Sequence, residues 1–253
     1  MQICDESIDL WMIPLSSVGD RFQEHEQSLS TDERQRATRF RSAKERRHFT
    51  LARGSLRPIL SQYLGTQPEA VRFSYGTHGK PRLANTHEPS LEFNLSHSGD
   101  RLVLAISKLE TIGVDIESSD KPRRVARIAQ RFFSRQEVAD LLVLSQSRRL
   151  HRFYQLWTLK EAYIKACGLG LAIPLRQFSY AFPTAGQIEI TFDKSRQDDA
   201  TRWQVWQFDV PGNYQLSLAV KSDSGDQVGS ISSWNLPDLK QFHSLDTCIS
   251  RSN

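Results

Sequence analysis

The chain has 253 residues, 38% of them hydrophobic and 25% charged, which fits one or two ordinary globular domains and excludes a disordered or fibrous chain. Its net charge is +4, and no run approaches the roughly 18 apolar residues of a membrane helix. Cys4, Cys167 and Cys248 lack metal-ligand spacing and the start, Met1 to Glu6, is acidic where a secretory leader is basic, so reduced thiols in a cytoplasmic protein are expected.

Asp9 to Leu15 reads as a first strand. Ser30 and Glu33 have the spacing of a capping box, predicting a helix from there to about Phe49. A second helix, from Leu51 to about Tyr63, is expected to bend or restart near Gly54 and Pro58. Residues 30–57 hold nine bases against three acids, a local excess that calls for an anionic partner: nucleic acid, a membrane surface or a multiply phosphorylated small molecule. Val71 to Tyr75 alternates as a strand and leads into the turn of Gly79-Lys80-Pro81. Leu91 to Ser96 is a further strand, Ser96 to Asp100 has turn chemistry, and Leu102 to Ile106 completes an antiparallel set.

In Gly113-Val114-Asp115-Ile116-Glu117 apolar and acidic residues alternate, so one strand face carries both carboxylates. Either that face is solvated, or a cation such as Mg²⁺ sits between the two anions. Lys121 to Phe133 is an amphipathic helix, with Arg123, Arg124 and Arg127 away from its apolar side. Ser134 and Glu137 form a second capping box, and Phe153 to Cys167 is a long helix capped by Gly168. Strands at 188–192, 203–208 and 214–220 build a second sheet, and residues 223–253 are a strap or partly disordered tail. The fold class is α+β: two similar halves of helices on small antiparallel sheets, in a pseudo-twofold arrangement with the active site in the cleft between them. The lobes are 1–108 and 109–222.

On the long helix Trp157, Glu161 and Lys165 are four residues apart and share a face. Read alone, this is an ion pair on a solvated surface. Read with Asp115 and Glu117, Glu161 is a third acid for a metal, and Lys165 a base for phosphate oxygens. Lys80, whose charge the turn holds outward, His97 between two serines, and Arg53 in the basic helices are further candidate phosphate partners, against the alternative of an incidental turn histidine and solvated surface arginines.

Together these stretches resemble the larger, two-lobed 4′-phosphopantetheinyl transferases. The resemblance rests on Gly79-Lys80-Pro81, Phe93-Asn94-Leu95-Ser96-His97-Ser98, Gly113 to Glu117, Arg131-Phe132-Phe133-Ser134 and Trp157 to Lys165, continuing into Gly168-Leu169-Gly170-Leu171. It implies transfer of the phosphopantetheine arm of coenzyme A to a serine of an apo acyl, peptidyl or aryl carrier protein, with release of adenosine 3′,5′-bisphosphate. It implies Mg²⁺ on Asp115, Glu117 and Glu161, Lys165 against the pyrophosphate, and coenzyme A on Lys80, Ser96 and His97. Arg36 matches a basic position of some relatives, whereas Glu33 stands where certain relatives carry lysine; Arg36 and Arg53 join the coenzyme-binding set. Glu161 is the candidate general base and Lys165 its catalytic partner.

Carrier proteins are generally acidic, so Arg123, Arg124 and Arg127 form the expected docking stripe, against the alternative of a solvated helix face. A monomer is expected, with neither nucleic acid nor membrane as partner. Two competing readings are a nucleic-acid-binding module on the basic helices, which leaves the three acids unexplained, and a catalytically silent carrier-binding protein, which requires a damaged acid set.

Overall fold

The computed structural model describes residues 1–18, 21–84, 91–109, 111–120, 124–222, 227–235, 240–242 and 250–251. The first half runs β1 (Ser7–Pro14), α1 (Leu15–Val18), α2 (Phe22–Gln27), α3 (Thr31–Thr38), α4 (Ala43–Leu64), β2 (Phe73–Tyr75), β3 (Pro81–Leu83), β4 (Glu92–Ser98) and β5 (Arg101–Ser107). The second runs β6 (Thr111–Ser118), α5 (Val125–Phe132), α6 (Arg135–Leu142), α7 (Gln146–Cys167), β7 (Phe178–Ala181), β8 (Glu189–Phe192), β9 (Trp203–Val210) and β10 (Tyr214–Lys221). Three strands follow: β11 (Ser230–Asn235), β12 (Lys240–Phe242) and β13 (Ser250–Arg251).

Two sheets carry the architecture, in the orders β12-β11-β1-β5-β4 and β13-β9-β10-β6. Ile8, Leu10 and Met12 of β1 pack with Val114 and Ile116 of β6 and Leu216 and Leu218 of β10, so the two sheets bury their facing sides against each other. Strand alternation sends the other residues outward. Trp11 and Ile13 meet Leu56, Ile59 and Leu60 of α4, while Val205 and Ala219 share a core with Leu159 and Ala162 of α7. Each half thus lays one 22-residue helix on a sheet, which is the α+β arrangement of two similar halves. One pairing departs from the antiparallel pattern: β11 lies parallel to β1, with Ser7 opposite Ser230. The described part of the expected tail is therefore paired strand, β11 and β12 in the first sheet and β13 beside β9 in the second; 223–226, 236–239, 243–249 and 252–253 lie outside the described residues.

Three sequence expectations are corrected. The helix opened by Ser30, whose side chain and Glu33 form the predicted capping box, ends at Thr38. A new helix starts after Ser42, whose side chain accepts the Glu45 N–H, and runs unbroken through Pro58. Proline removes the amide that would serve the carbonyl four residues earlier, that of Gly54. The buried His25 of α2 hydrogen-bonds the Gly54 backbone, and only a residue without a Cβ lets His25 approach so closely. Finally, Ser96, His97 and Ser98 are not turn residues: β4 stays paired with β5 through Ser98 opposite Arg101, leaving Gly99 and Asp100 to turn the hairpin.

Candidate active site

β4 and β6 are the edge strands at which the two sheets adjoin. Alternate residues of β4 stitch them together. Asn94 Oδ1 accepts the Val114 N–H at 3.0 Å, Ser96 Oγ donates to Asp115 Oδ1 at 2.7 Å, and Ser98 Oγ donates to Glu117 Oε2 at 2.9 Å. With Val114 and Ile116 buried between the sheets, the intervening Gly113, Asp115 and Glu117 face α7, as the period-2 pattern predicts.

Helix α7 delivers Glu161 and Lys165 to the same place. Its rotation is fixed by Lys160, which is fully buried and donates to the Leu175 and Phe178 carbonyls at 2.8 and 2.6 Å while pairing with Glu137 at 2.9 Å. Lys165 Nζ donates to Asp115 Oδ1 at 2.6 Å, to Ser96 Oγ at 2.8 Å and to the Val114 carbonyl at 3.3 Å. Of the two readings of this helix face, the ion pair on a solvated surface is not the one formed: the ammonium is held against β6. Gly113 allows the close approach, since a Cβ there would overlap the Ala162 carbonyl and the Ala166 amide.

These groups line a cavity of about 650 Å³ together with Lys80, Ser96, His97, Arg36 and Arg53, so every predicted coenzyme- and metal-binding residue reaches one space. Lys80 does not point its charge outward. Its ammonium donates to the Ile112 and Ala166 carbonyls, both at 3.1 Å, and ties the turn to the other half. Arg53 is buried, with Nη1 unpartnered among the described residues, and its guanidinium lies 5.7 Å from the Phe49 ring. Arg36 stands at 5.7 Å from the same ring, so two cations flank one aromatic on the cavity wall. Arg57 pairs with the buried Glu33 at 2.9 Å, which removes it from the free basic surface. Burial and Lys165 hold the His97 imidazole below its ordinary pKa, and burial lowers its neighbour His48. Arg124 and Arg127 are exposed at α5, away from the cavity lining; Arg123 lies outside the described residues.

Among the described residues no three His, Cys, Asp or Glu side chains lie close enough together to hold a metal ion. The predicted three-acid set is therefore not assembled as one cluster: Lys165 and Ser96 occupy Asp115 Oδ1, and Ser98 occupies Glu117 Oε2. The donor chemistry nevertheless suits a hard cation. Asp115 is 4% exposed and its Oδ2 is buried without a hydrogen-bond partner, an orphaned anionic oxygen that desolvation makes costly. Burial, then Asp115 and Glu117, push Glu161 up to about 7 against the opposing pull of Lys165.

That shift has a testable sign. The folded chain binds a proton at Glu161 more tightly than the unfolded chain, whose carboxyl titrates near 4.5. The stability it contributes is present below that value and is lost as pH rises towards about 7. In EDTA, Glu161→Gln should gain Tm over the parent between about pH 5 and about pH 8. Melts at the two pH values check this, and parallel profiles would remove the assignment.

Sequence reasoning gave Asn94 no role, named Ser98 only as a neighbour of His97, and missed His48 and Lys160. The first two sit two residues either side of Ser96, so period-2 spacing was a usable signal. His48, 6.4 Å from His97 between ring centroids, had none. Lys160 showed only as a base within an otherwise apolar helix face.

Residues 111–219 match the family profile described as 4′-phosphopantetheinyl transferase superfamily, and residues 16–109 that described as 4′-phosphopantetheinyl transferase, N-terminal. The 4′-phosphopantetheinyl transferase HetI of Nostoc sp. (strain PCC 7120 / SAG 25.82 / UTEX 2576) is 39% identical over 173 residues, 68% of this chain and 73% of that one. The 4′-phosphopantetheinyl transferase Sfp of Bacillus subtilis (strain 168) is 35% identical over 205 residues, 81% of this chain and 88% of that one. The crystal structure of holo-[acyl-carrier-protein] synthase from Neisseria meningitidis is similar at 18% identity and a TM-score of 0.36, over 46% of this chain and 99% of that chain. With profiles on both halves and HetI and Sfp matched over most of their lengths, the chain belongs to the 4′-phosphopantetheinyl transferase superfamily and is an enzyme of that class.

Proposed function

We propose that the chain transfers the 4′-phosphopantetheine arm of coenzyme A to a serine hydroxyl of an apo carrier protein and releases adenosine 3′,5′-bisphosphate. The observation that carries this is the lining of one cavity by three acids and a fixed lysine from the second half and by Arg36, Arg53, Lys80 and His97 from the first. Arg36, Arg53, His97, Lys80 and Ser96 would hold the phosphorylated adenosine and the start of the pyrophosphate. Lys165, held in place by its three acceptors, would set its positive charge beside the pyrophosphate, exchanging one of those acceptors where it donates to a phosphate oxygen.

Mg²⁺, when bound, would offset negative charge on the pyrophosphate, and Asp115 and Glu117 would hold it together with one oxygen of Glu161. Glu161 is assigned the serine proton, taken directly or through water. In the balanced step the serine Oγ–P bond forms, the P–O bond to adenosine bisphosphate breaks, and the serine proton passes to Glu161. Arg124 and Arg127, with Arg123, are assigned to an acidic face of the carrier. The reading further takes residues 1–108 and 109–222 as the two lobes, residues 223–253 as the strap, the protein as a monomer and its place as the cytoplasm. Free thiols at Cys4 and Cys167 agree with that location.

The test is incubation with coenzyme A, Mg²⁺ and an apo carrier protein, followed by mass spectrometry. The carrier should gain one phosphopantetheine. No gain with any of several carriers, fatty-acid and peptide types alike, would overturn the proposal.

A further inference from the structure

The cavity wall is not uniform in chemistry. Its first-half side carries Arg36, Arg53 and Lys80, which suit an anionic coenzyme. Its second-half rim, where Gly168 and Gly170 line the cavity, belongs to a different kind of sequence. Residues 166–175 contain no charged side chain, in a chain that is 25% charged. Within this stretch Leu169 is 41% and Leu171 63% exposed.

The rim is held rigidly. Gly168 and Gly170 adopt left-handed backbone, at φ 72° and 53°, which alternates with the two leucines and suits glycine alone. Ala172 N–H donates to the Leu169 carbonyl at 3.3 Å and Ile173 N–H to the Gly170 carbonyl at 3.1 Å, closing the turn. Lys80 fastens its base from the opposite half through the Ala166 carbonyl at 3.1 Å. Two large apolar side chains are thus presented to solvent on a fixed turn beside the cavity. The other adjacent exposed pair in the described residues, Leu142 and Val143, does not adjoin the cavity.

We infer that Leu169 and Leu171 form an apolar lip that docks the carrier protein, receiving an apolar patch next to its acceptor serine. The inference rests on the transferase reading above. A serine on a folded protein must be brought to the cavity, so the surface continuous with its edge is the surface that partner covers. A multiply anionic coenzyme has no reason to select an uncharged rim, whereas an apolar patch on a protein gains from burying both leucines. The arginines of α5 would then steer the carrier, and the lip would hold it.

The experiment compares the parent protein, the double variant Leu169→Asp/Leu171→Asp, and Val143→Asp as an exposed apolar control. The double variant should raise the KM for apo carrier about tenfold or more, with kcat at saturating carrier within about twofold of the parent. Its Kd for coenzyme A, read by calorimetry, should be unchanged, and Val143→Asp should change nothing. If the double variant melts early, the single Leu171→Gln should still raise the carrier KM by about threefold. An unchanged carrier KM overturns the lip, and so does a weakened coenzyme affinity, which would give the leucines to coenzyme A. Absence of transfer by the parent itself would overturn the transferase reading and the lip with it.

Discussion

Gly113→Val should abolish transfer and weaken folding together. The position lies in the middle of β6, where a side chain would meet the Ala162 carbonyl and the amide and Cα of Ala166. These are backbone atoms of α7, so no flexible side chain can move aside. The helix itself must withdraw, and overpacking of this kind costs typically about 1–3 kcal/mol. The larger effect is on geometry. Lys165 Nζ reaches Asp115 Oδ1 at 2.6 Å only because strand and helix touch, and a shift of about 1 Å at such a site costs on the order of 100-fold in rate. We therefore expect kcat/KM for carrier modification to fall at least about 100-fold, with a lower urea midpoint. Gly76→Ala is the control, because a Cβ there meets only the Lys80 carbonyl at 3.8 Å. Near-parental transfer by Gly113→Val would show that α7 tolerates displacement and that contact with β6 does not set the site.

What was legible in the sequence was what short-range chemistry determines. Both capping boxes, Ser30 with Glu33 and Ser134 with Glu137, form as their spacing dictates, since capping is settled within four residues. Asp115 and Glu117 share a face because a strand leaves no alternative. One failure is local: Ser42 caps a new helix through the Glu45 amide, so the helix opened by Ser30 does not reach Phe49; the others are long-range. Pro58 reads as a break until His25, on another helix, is seen to serve the carbonyl it frees. Lys80 reads as an outward charge until two carbonyls of the other half are placed around it. His97 reads as a turn residue until pairing with β5 extends β4 to Ser98. The acid set of Asp115, Glu117 and Glu161 is a separate matter, because nothing in the sequence reveals that Lys165 and Ser96 already hold one oxygen of Asp115.

The Lys165–Asp115 contact lends itself to an experiment in which stability and activity part company. Lys165→Met leaves the Asp115 carboxylate, 4% exposed, with Ser96 as its remaining partner. Removing one member of such a pair exposes the full penalty of the other charge. Because the Lys165 side chain is 28% exposed, we expect a loss of about 2 kcal/mol rather than the larger values of wholly buried pairs. Adding Asp115→Asn removes the stranded charge and should restore about half of that loss, a positive coupling visible in a double-mutant cycle of urea melts. Transfer should behave oppositely. Lys165→Met should lower kcat/KM by roughly 100- to 1,000-fold, as for loss of one group that stabilises developing charge. The double variant should be no better, because Asp115 is assigned its own task at the pyrophosphate. Restored transfer in the double variant would show that the lysine only neutralises Asp115 for folding. Recovered stability with transfer still absent would show that the same contact braces the fold and holds the ammonium where charge must be met.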